Sequence, residues 1–170
     1  MFSRLLDAEY AAANLAKVFQ PKGKMDADLL VIQSVLGPIG QPASEALYPT
    51  ILTDDGAPMN AMFDYEIVMA ADAMPPAKAF WSATLYDSEQ GFFIPNDRFK
   101  YSVGENAGFR LDEDGGIRIV VAAEQPEGVP EENWLPINRG DYDIDIVLRL
   151  YSPDLARFAD WSPPVARKLN

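Results

Sequence analysis

The feature that most constrains this chain is the run from Tyr142 to Tyr151, YDIDIVLRLY. Its residues alternate without a break: Tyr142, Ile144, Ile146, Leu148 and Leu150 fall on one side, and Asp143, Asp145, Val147, Arg149 and Tyr151 on the other. Successive side chains of a strand point to opposite faces, so the run is a long strand with one apolar and one mostly polar face. Arg139-Gly140 supplies a turn before it. Ser152-Pro153 ends it, because proline has no N–H to give to a ladder. A strand of this kind folds only if the rest of the chain covers its apolar side.

The remaining chain supplies that cover in two textures. Phe2 to Phe19 carries an apolar stripe at helical spacing in an alanine-rich background, closed by Pro21 and Gly23. A second helix is expected from Asp26, a capping residue, to Leu36, before the terminator Gly37-Pro38. The rival reading of LLVIQSVL is a buried strand. From Leu47 onward the chain becomes short runs divided by turn residues. ALYPTIL and MFDYEIVMA flank Asp54-Asp55-Gly56 as a hairpin signal, and FRL and GIRIVVAAE flank Asp112 to Gly116 as another. Between and after them come AFWSATLYD, GFFI and FKYSV, a loop at EQPEGVPEEN, one or two helical turns in PDLARFAD, and an edge strand in the tail WSPPVARKL. Seven to nine short strands with frequent turns predict a mainly β fold, an antiparallel β-sandwich or barrel carrying two N-terminal helices. With 170 residues and no internal repeat, low-complexity segment or linker, one domain over residues 1–170 is expected, with a helical segment at 1–40.

Composition removes whole classes of chemistry. There is no cysteine, so disulfides, thiolate metal sites and cysteine nucleophiles are out, and no histidine, so Ser-His-Asp catalysis and imidazole proton shuttling are out as well. Asp, Glu, Lys, Tyr and Ser remain for catalysis. The net charge of −12, from 26 acidic against 14 basic residues, repels phosphate backbones and anionic membrane surfaces. Nucleic acid and membranes are therefore not expected partners, and neither a metal nor a cofactor is expected. The N-terminal MFSRLLDAEY lacks a signal-peptide core, and the longest apolar run, Leu29 to Ile32, is too short to span a bilayer, so the default compartment is the cytoplasm.

Four groups of residues are candidates for chemistry. Asp143 and Asp145 share a strand face with Cβ atoms roughly 6.5–7 Å apart, within the about 5–10 Å that paired carboxylates need for glycoside hydrolysis. The ordinary alternative is a solvated face with cross-strand ion pairs to residues such as Arg149. The acids of Asp112 to Asp114 and of Asp54-Asp55 offer carboxylate oxygens to calcium, but acids beside glycine are common in tight turns. Aromatic residues crowd the β-rich part, most of them core material. Trp81, Tyr86 and Trp134 are the candidates for ligand contact, beside polar neighbours that would orient a sugar or planar ring. Lys78, Lys100 and Arg149 are candidate anion partners, with plain surface charge as the alternative.

Several blocks taken together resemble the DUF1214 family, a domain of unknown function: EALYPTILTDDGAPMNAMFDYEIVM, MPPAKAFWSATLYD, IPNDRFKYSVGE, LDEDGGIRI, and NWLPINRGDYDIDIVLRLYSP with WSPPV. The resemblance covers about residues 45–165 and implies a jelly-roll-like β-sandwich. DADLLVIQSVLG is similar to the helix that precedes this domain in larger members, many of which carry an upstream DUF1254 domain or a membrane helix. The family's polar and aromatic signature falls on Trp81, Asn96, Tyr101, Asn133, Trp134, Arg149 and Tyr151. Relatives usually have arginine before the tyrosine of the NDRFKYS block, where this chain has Lys100, which cannot make a planar bidentate contact. Asn133 is expected to satisfy loop backbone groups.

The function expected from these features is non-catalytic: a binding or interaction module for a carbohydrate-like or protein ligand. The alternatives are a carboxylate-dependent carbohydrate hydrolase or lyase using Asp143 and Asp145, and a structural homo-oligomer joined through a strand edge with the N-terminal helices as a clasp.

Overall fold

In the computed structural model the described residues are 22–27, 30 and 41–169. The chain divides into two compact units, Met1–Ala46 and Leu47–Asn170. In the first, Lys22–Lys24 form a 3-10 turn, and the Leu30 N–H donates to the Asp26 carbonyl at 3.1 Å, a helical bond at the start of the expected second helix. The rest of that helix, and all of the expected helix from Phe2 to Phe19, lie outside the described residues.

The strands are β1 (Ala46–Leu47), β2 (Thr50–Ile51), β3 (Met59–Asn60), β4 (Tyr65–Met69), β5 (Ala77–Asp87), β6 (Ser102–Gly104), β7 (Ile117–Ala122), β8 (Trp134–Pro136), β9 (Asp143–Pro153) and β10 (Ala166–Lys168). A short helix, α1 (Leu155–Phe158), follows β9, with Asp154 as its N-cap accepting from the Arg157 N–H. Two sheets result. The first is built on β9, which pairs antiparallel with β5 along one side and with β2 and β3 along the other, while β6 extends the sheet beyond β5. The second runs β10-β4-β7-β8. Its β7–β8 pair is parallel, as is the isolated bridge between Thr53 and Ala166, so the expected antiparallel arrangement is not complete. The loop over residues 124–133 carries the chain from the end of β7 back to the start of β8, which a two-residue hairpin cannot do.

The alternation of β9 is realised as read. Ile144, Ile146, Leu148 and Leu150 are buried, whereas Asp143 is exposed and Asp145, Val147, Arg149 and Tyr151 are half-buried. The buried set packs with Trp81, Ala83 and Leu85 of β5 and with Ile67, Ile119, Val121 and Leu135 of the second sheet in one apolar cluster. At about 1.5–3 kcal/mol for each fully buried aliphatic side chain, β9 alone contributes a large share of the core. Two glycines allow the close approaches this packing needs. A Cβ on Gly104 would lie 2.4 Å from the Trp81 carbonyl oxygen, so only glycine lets β6 reach β5. A Cβ on Gly140 would lie 2.6 Å from the Tyr142 ring, which folds back over the turn that launches β9.

The first hairpin signal resolves differently from its expectation. β2 and β3 do not pair with each other: Thr50 lies opposite Val147 and Met59 opposite Ile144, so both follow the same side of β9 end to end. The Asp54-Asp55-Gly56 turn is an excursion between them, closed by Gly56 N–H to the Thr53 carbonyl at 3.1 Å. The expected partner MFDYEIVMA instead contributes β4 to the second sheet. The Asp112–Gly116 turn forms, with the Asp112 N–H donating to the Gly116 carbonyl at 2.8 Å, but only its second arm becomes a strand. The tail strand is at a sheet edge as expected, as β10 beside β4.

One charged group is buried in the second sheet. Glu66 is 5% exposed, and its carboxylate accepts from Arg118 Nε at 2.9 Å and from Arg167 Nη2. Burial alone would raise its pKa, but the hydrogen bonds and charges of Arg118 and Arg167 together outweigh it and hold the carboxyl below the usual range.

Two outcomes follow for stability. Ile146→Ala should lower unfolding free energy by about 2–5 kcal/mol in urea titrations, against less than about 0.5 kcal/mol for Asp143→Ala on the same strand. Glu66→Gln should cost about 1–2 kcal/mol at neutral pH, the lower end for a charged hydrogen-bond network because both guanidinium groups are partly solvated. A carboxyl whose folded pKa is depressed stabilises above its unfolded value of about 4.3 and loses that contribution as pH falls through the folded value. The gap between wild type and Glu66→Gln should therefore close below about pH 4, and a gap that persists in acid would contradict the role given to the pair.

Candidate functional site

The polar side of β9 and its partner β5 make the outer face of the first sheet. Register places Phe80 opposite Tyr151, Ser82 opposite Arg149, Thr84 opposite Val147 and Tyr86 opposite Asp145. The face therefore has aromatic ends and a hydroxyl-rich middle. At one end Phe80 and Tyr151 stack with ring centroids 4.5 Å apart, and Tyr48 meets Tyr151 edge-on at 6.3 Å. At the other, Tyr86, Phe93 and Tyr101 stack in series at 5.3 and 4.9 Å, the second pair nearly parallel at 11°.

A hollow of about 620 Å³ opens over the middle of this face, within the usual range for small-ligand pockets. Its floor is Ser82, Thr84, Ser102 and Arg149; the loop from Phe93 to Tyr101 forms one wall, and Asn106 with Glu131 and Glu132 the other. Arg149 lies across the floor, with its guanidinium 5.6 Å from the centre of the Tyr86 ring and Nη2 donating to the Tyr86 hydroxyl. Its Nε is buried and has no acceptor among the described residues.

The wall loop is held by Asn96. Its amide nitrogen donates to the carbonyls of Ile94 at 3.2 Å and Lys100 at 2.9 Å, and its amide oxygen accepts from the N–H groups of Arg98 and Lys100, each at 3.2 Å. This staple forces Phe99 into the left-handed region at φ 51°, an uncommon state for an aromatic residue, and leaves its ring 80% exposed at the rim. Arg98 stacks over Trp134 at 4.9 Å and pairs with Glu131 at 2.6 Å. The Lys100 ammonium donates to the Glu131 carbonyl, and desolvation lowers its pKa. The two walls are thereby tied together across the mouth of the hollow.

The structure gathers some of the sequence candidates and separates others. Lys100, Tyr101 and Arg149 line the hollow, and Tyr86 is bonded to Arg149 beside it; Asn96 holds the loop that shapes it, and Tyr151 lies at the far end of the same face. Trp81 points inward, 3% exposed, against Phe109 in the core. Trp134 is 4% exposed on the second sheet, its indole N–H bonded to the Ala122 carbonyl at 2.9 Å. Both tryptophans thus pack and do not offer a free ring. Asn133 is buried and pairs with both polar groups of the Arg110 backbone at 2.8 Å, a loop-satisfying role as expected. Asp143 and Asp145 do not line the hollow. Asp143 accepts from Asn60 Nδ2 at 3.2 Å beside a second, open depression with Asp141 and Glu89, and Asp145 lines neither. Among the described residues no group of three or more acidic side chains is placed to hold a metal ion. No helix among them is long and apolar enough to cross a membrane.

Sequence reasoning missed Ser82, Thr84, Phe93, Arg98, Ser102 and Asn106. The signal for two of them was present in AFWSATLYD, whose alternation sets Ser82 and Thr84 on the face of Phe80 and Tyr86. Ser102 is the first residue of β6, and Phe93, Arg98 and Asn106 come from loops that only the fold brings alongside.

The family model for DUF1214, described as a protein of unknown function, matches residues 45–155. The chain belongs to the DUF1214 family. Every residue lining the hollow falls inside the matched segment, so the site is made wholly of family-domain residues. No curated protein matches the chain. Among solved structures it is similar to the VPA0106 protein from Vibrio parahaemolyticus, with a TM-score of 0.73 and 22% identity over 95% of this chain and 42% of that one. A second similar structure, an uncharacterised protein from Burkholderia cenocepacia, has a TM-score of 0.46 and 19% identity over 73% of this chain and 28% of that one. The chain thus spans less than half the length of either. The Vibrio likeness establishes a shared fold.

Removing the staple should loosen the wall without touching the core. Asn96→Ala should speed amide hydrogen exchange at Arg98 and Lys100 by about tenfold, with global stability reduced by about 1–2 kcal/mol. Unchanged protection at those two amides would contradict the role assigned to Asn96.

Proposed function

We propose that this domain is a non-catalytic binding module, and that a carbohydrate-like ligand occupies the hollow on the outer face of the first sheet. The observation that carries this reading is the combination in one concavity of Tyr101, the end ring of the Tyr86–Phe93–Tyr101 stack, with the hydroxyls of Ser82, Thr84 and Ser102 and the donors of Arg149 and Asn106. A flat aromatic surface covers the apolar face of a sugar ring, and short polar side chains around it satisfy hydroxyls, which is the ordinary construction of a small-ligand pocket. The site is largely pre-formed, since Asn96 fixes its wall and strand pairing fixes its floor, so little ordering entropy opposes binding. The two-sheet stack that supports it is read here as jelly-roll-like.

Hydrolysis is the weaker reading. It needs two carboxyl groups flanking one bond, and Asp143 and Asp145 do not share a hollow. Glu131 and Glu132 do line the main one, but they are paired with Arg98 and Arg110 at 2.6 and 3.7 Å.

The test is a glycan array followed by titration of the best binder into the full chain. Tyr101→Ala should weaken that binder by about tenfold, the loss of one stacking contact, while Tyr48→Ala, at the far end of the face, should change it less than about twofold. An array with no binder, or a binder indifferent to Tyr101, would overturn the proposal.

A further inference from the structure

Among the described arginines only Arg149 and Arg157 have no carboxylate partner, and Arg157 is exposed whereas Arg149 is partly buried. Arg98, Arg110, Arg118, Arg139 and Arg167 each pair with a carboxylate at the surface or in the Glu66 network. Arg149 has no carboxylate within ion-pair reach among the described residues, although the chain as a whole carries a charge of −12. The partner it has is a neutral phenol, the Tyr86 hydroxyl, and its buried Nε has no acceptor. A partly buried guanidinium retains a desolvation cost unless an anion faces it and its fork of donors is filled. Here neither condition is met by the protein itself.

The hollow constrains what that anion is. Arg149 lies on the floor among Ser82, Thr84 and Ser102, so the negative group arrives on a molecule that also presents hydroxyls. Tyr101 ends the Tyr86–Phe93–Tyr101 stack beside it, and its outer face calls for a ring with an apolar face. Glu131 and Glu132 also line the hollow, where their carboxylate oxygens can accept from hydroxyls, and inorganic phosphate has no ring to cover the aromatic face. We infer that the site selects an acidic sugar, a uronic-acid residue of an oligosaccharide, whose single carboxylate docks on Arg149 while its ring lies against Tyr101. The inference rests on the binding reading above and adds the charge and class of the ligand. A carboxylate matches the planar guanidinium with paired hydrogen bonds, and drawing the guanidinium toward it gives the orphaned Nε an acceptor.

The experiment is calorimetric titration of the full chain with trigalacturonate and with the same trisaccharide fully methyl-esterified, which keeps the shape and removes the charge. Wild type should bind the acid at least about tenfold more tightly than the ester, as expected for one charge-assisted pair. In Arg149→Gln that ratio should fall to near one, and in Arg149→Lys it should lie between the two, because lysine keeps the charge but loses the fork. The wild-type ratio needs no variant to fold, so a defective variant does not blur the result. Equal affinity for acid and ester would overturn the acidic-sugar assignment and leave the binding proposal standing. Failure of both, together with every neutral glycan on the array, would overturn the two together. Inorganic phosphate or a glutamate-rich peptide displacing the acid at equal concentration would overturn the choice of a sugar.

Discussion

The structure depends on the burial of one side of β9. Ile144, Ile146, Leu148 and Leu150 enter the same apolar cluster as the inward residues of both sheets. Because side chains alternate with a period of two, fixing those four inside fixes Asp145, Val147, Arg149 and Tyr151 outside. A slip of one residue in register would bury Arg149 and Asp145 and expose the isoleucines, at a cost of many kcal/mol. The hydrophobic requirement that folds the domain thus also sets the position of the arginine in the hollow. β5 repeats the logic: Trp81, Ala83 and Leu85 face in, and Phe80, Ser82, Thr84 and Tyr86 face out.

Charge is handled differently on the two sheets. On the second, Glu66 is buried but answered by Arg118 and Arg167, so the arrangement reads as structural. On the first, Arg149 is half-buried and unanswered by any acid among the described residues. The two groups therefore differ in whether the fold brings a counter-charge. The loop wall adds a second departure from local preference, Phe99 at positive φ with its ring in solvent. Strain of this kind persists where surrounding bonds over-determine it, here the four made by the Asn96 side chain.

Much of the fold was legible because it rests on periodicity. The β9 alternation, the opposite facing of Phe80 and Trp81, the tail edge strand and the helical turn after β9 all follow from spacing and turn residues in the sequence. What periodicity cannot supply is pairing. Asp54-Asp55-Gly56 has the composition of a hairpin turn, but β9 is long enough to template both β2 and β3, so the turn became an excursion. The same limit governs the site. Arg149 was legible from its strand facing, Tyr86 and Lys100 as an aromatic and a cation, and Tyr101 through the family resemblance. Trp81 and Trp134 carried the same chemical signal, yet one faces the core and the other lies beneath Arg98. Arg98 and Asn106 reach the hollow through loops whose course depends on contacts distant in sequence.

The proposed ligand seat is the outer face of β5 and β9, between the two aromatic clusters, and a single measurement tests it. Amide chemical-shift mapping of the ¹⁵N-labelled chain during titration with an array-selected glycan reads this directly. The account predicts that the largest shifts cluster at Ser82, Thr84, Tyr101, Ser102 and Arg149, with the buried residues of β4 and β7 still. Shifts centred instead on Asn60, Asp141 and Asp143, or spread over the outer face of the second sheet, would contradict it.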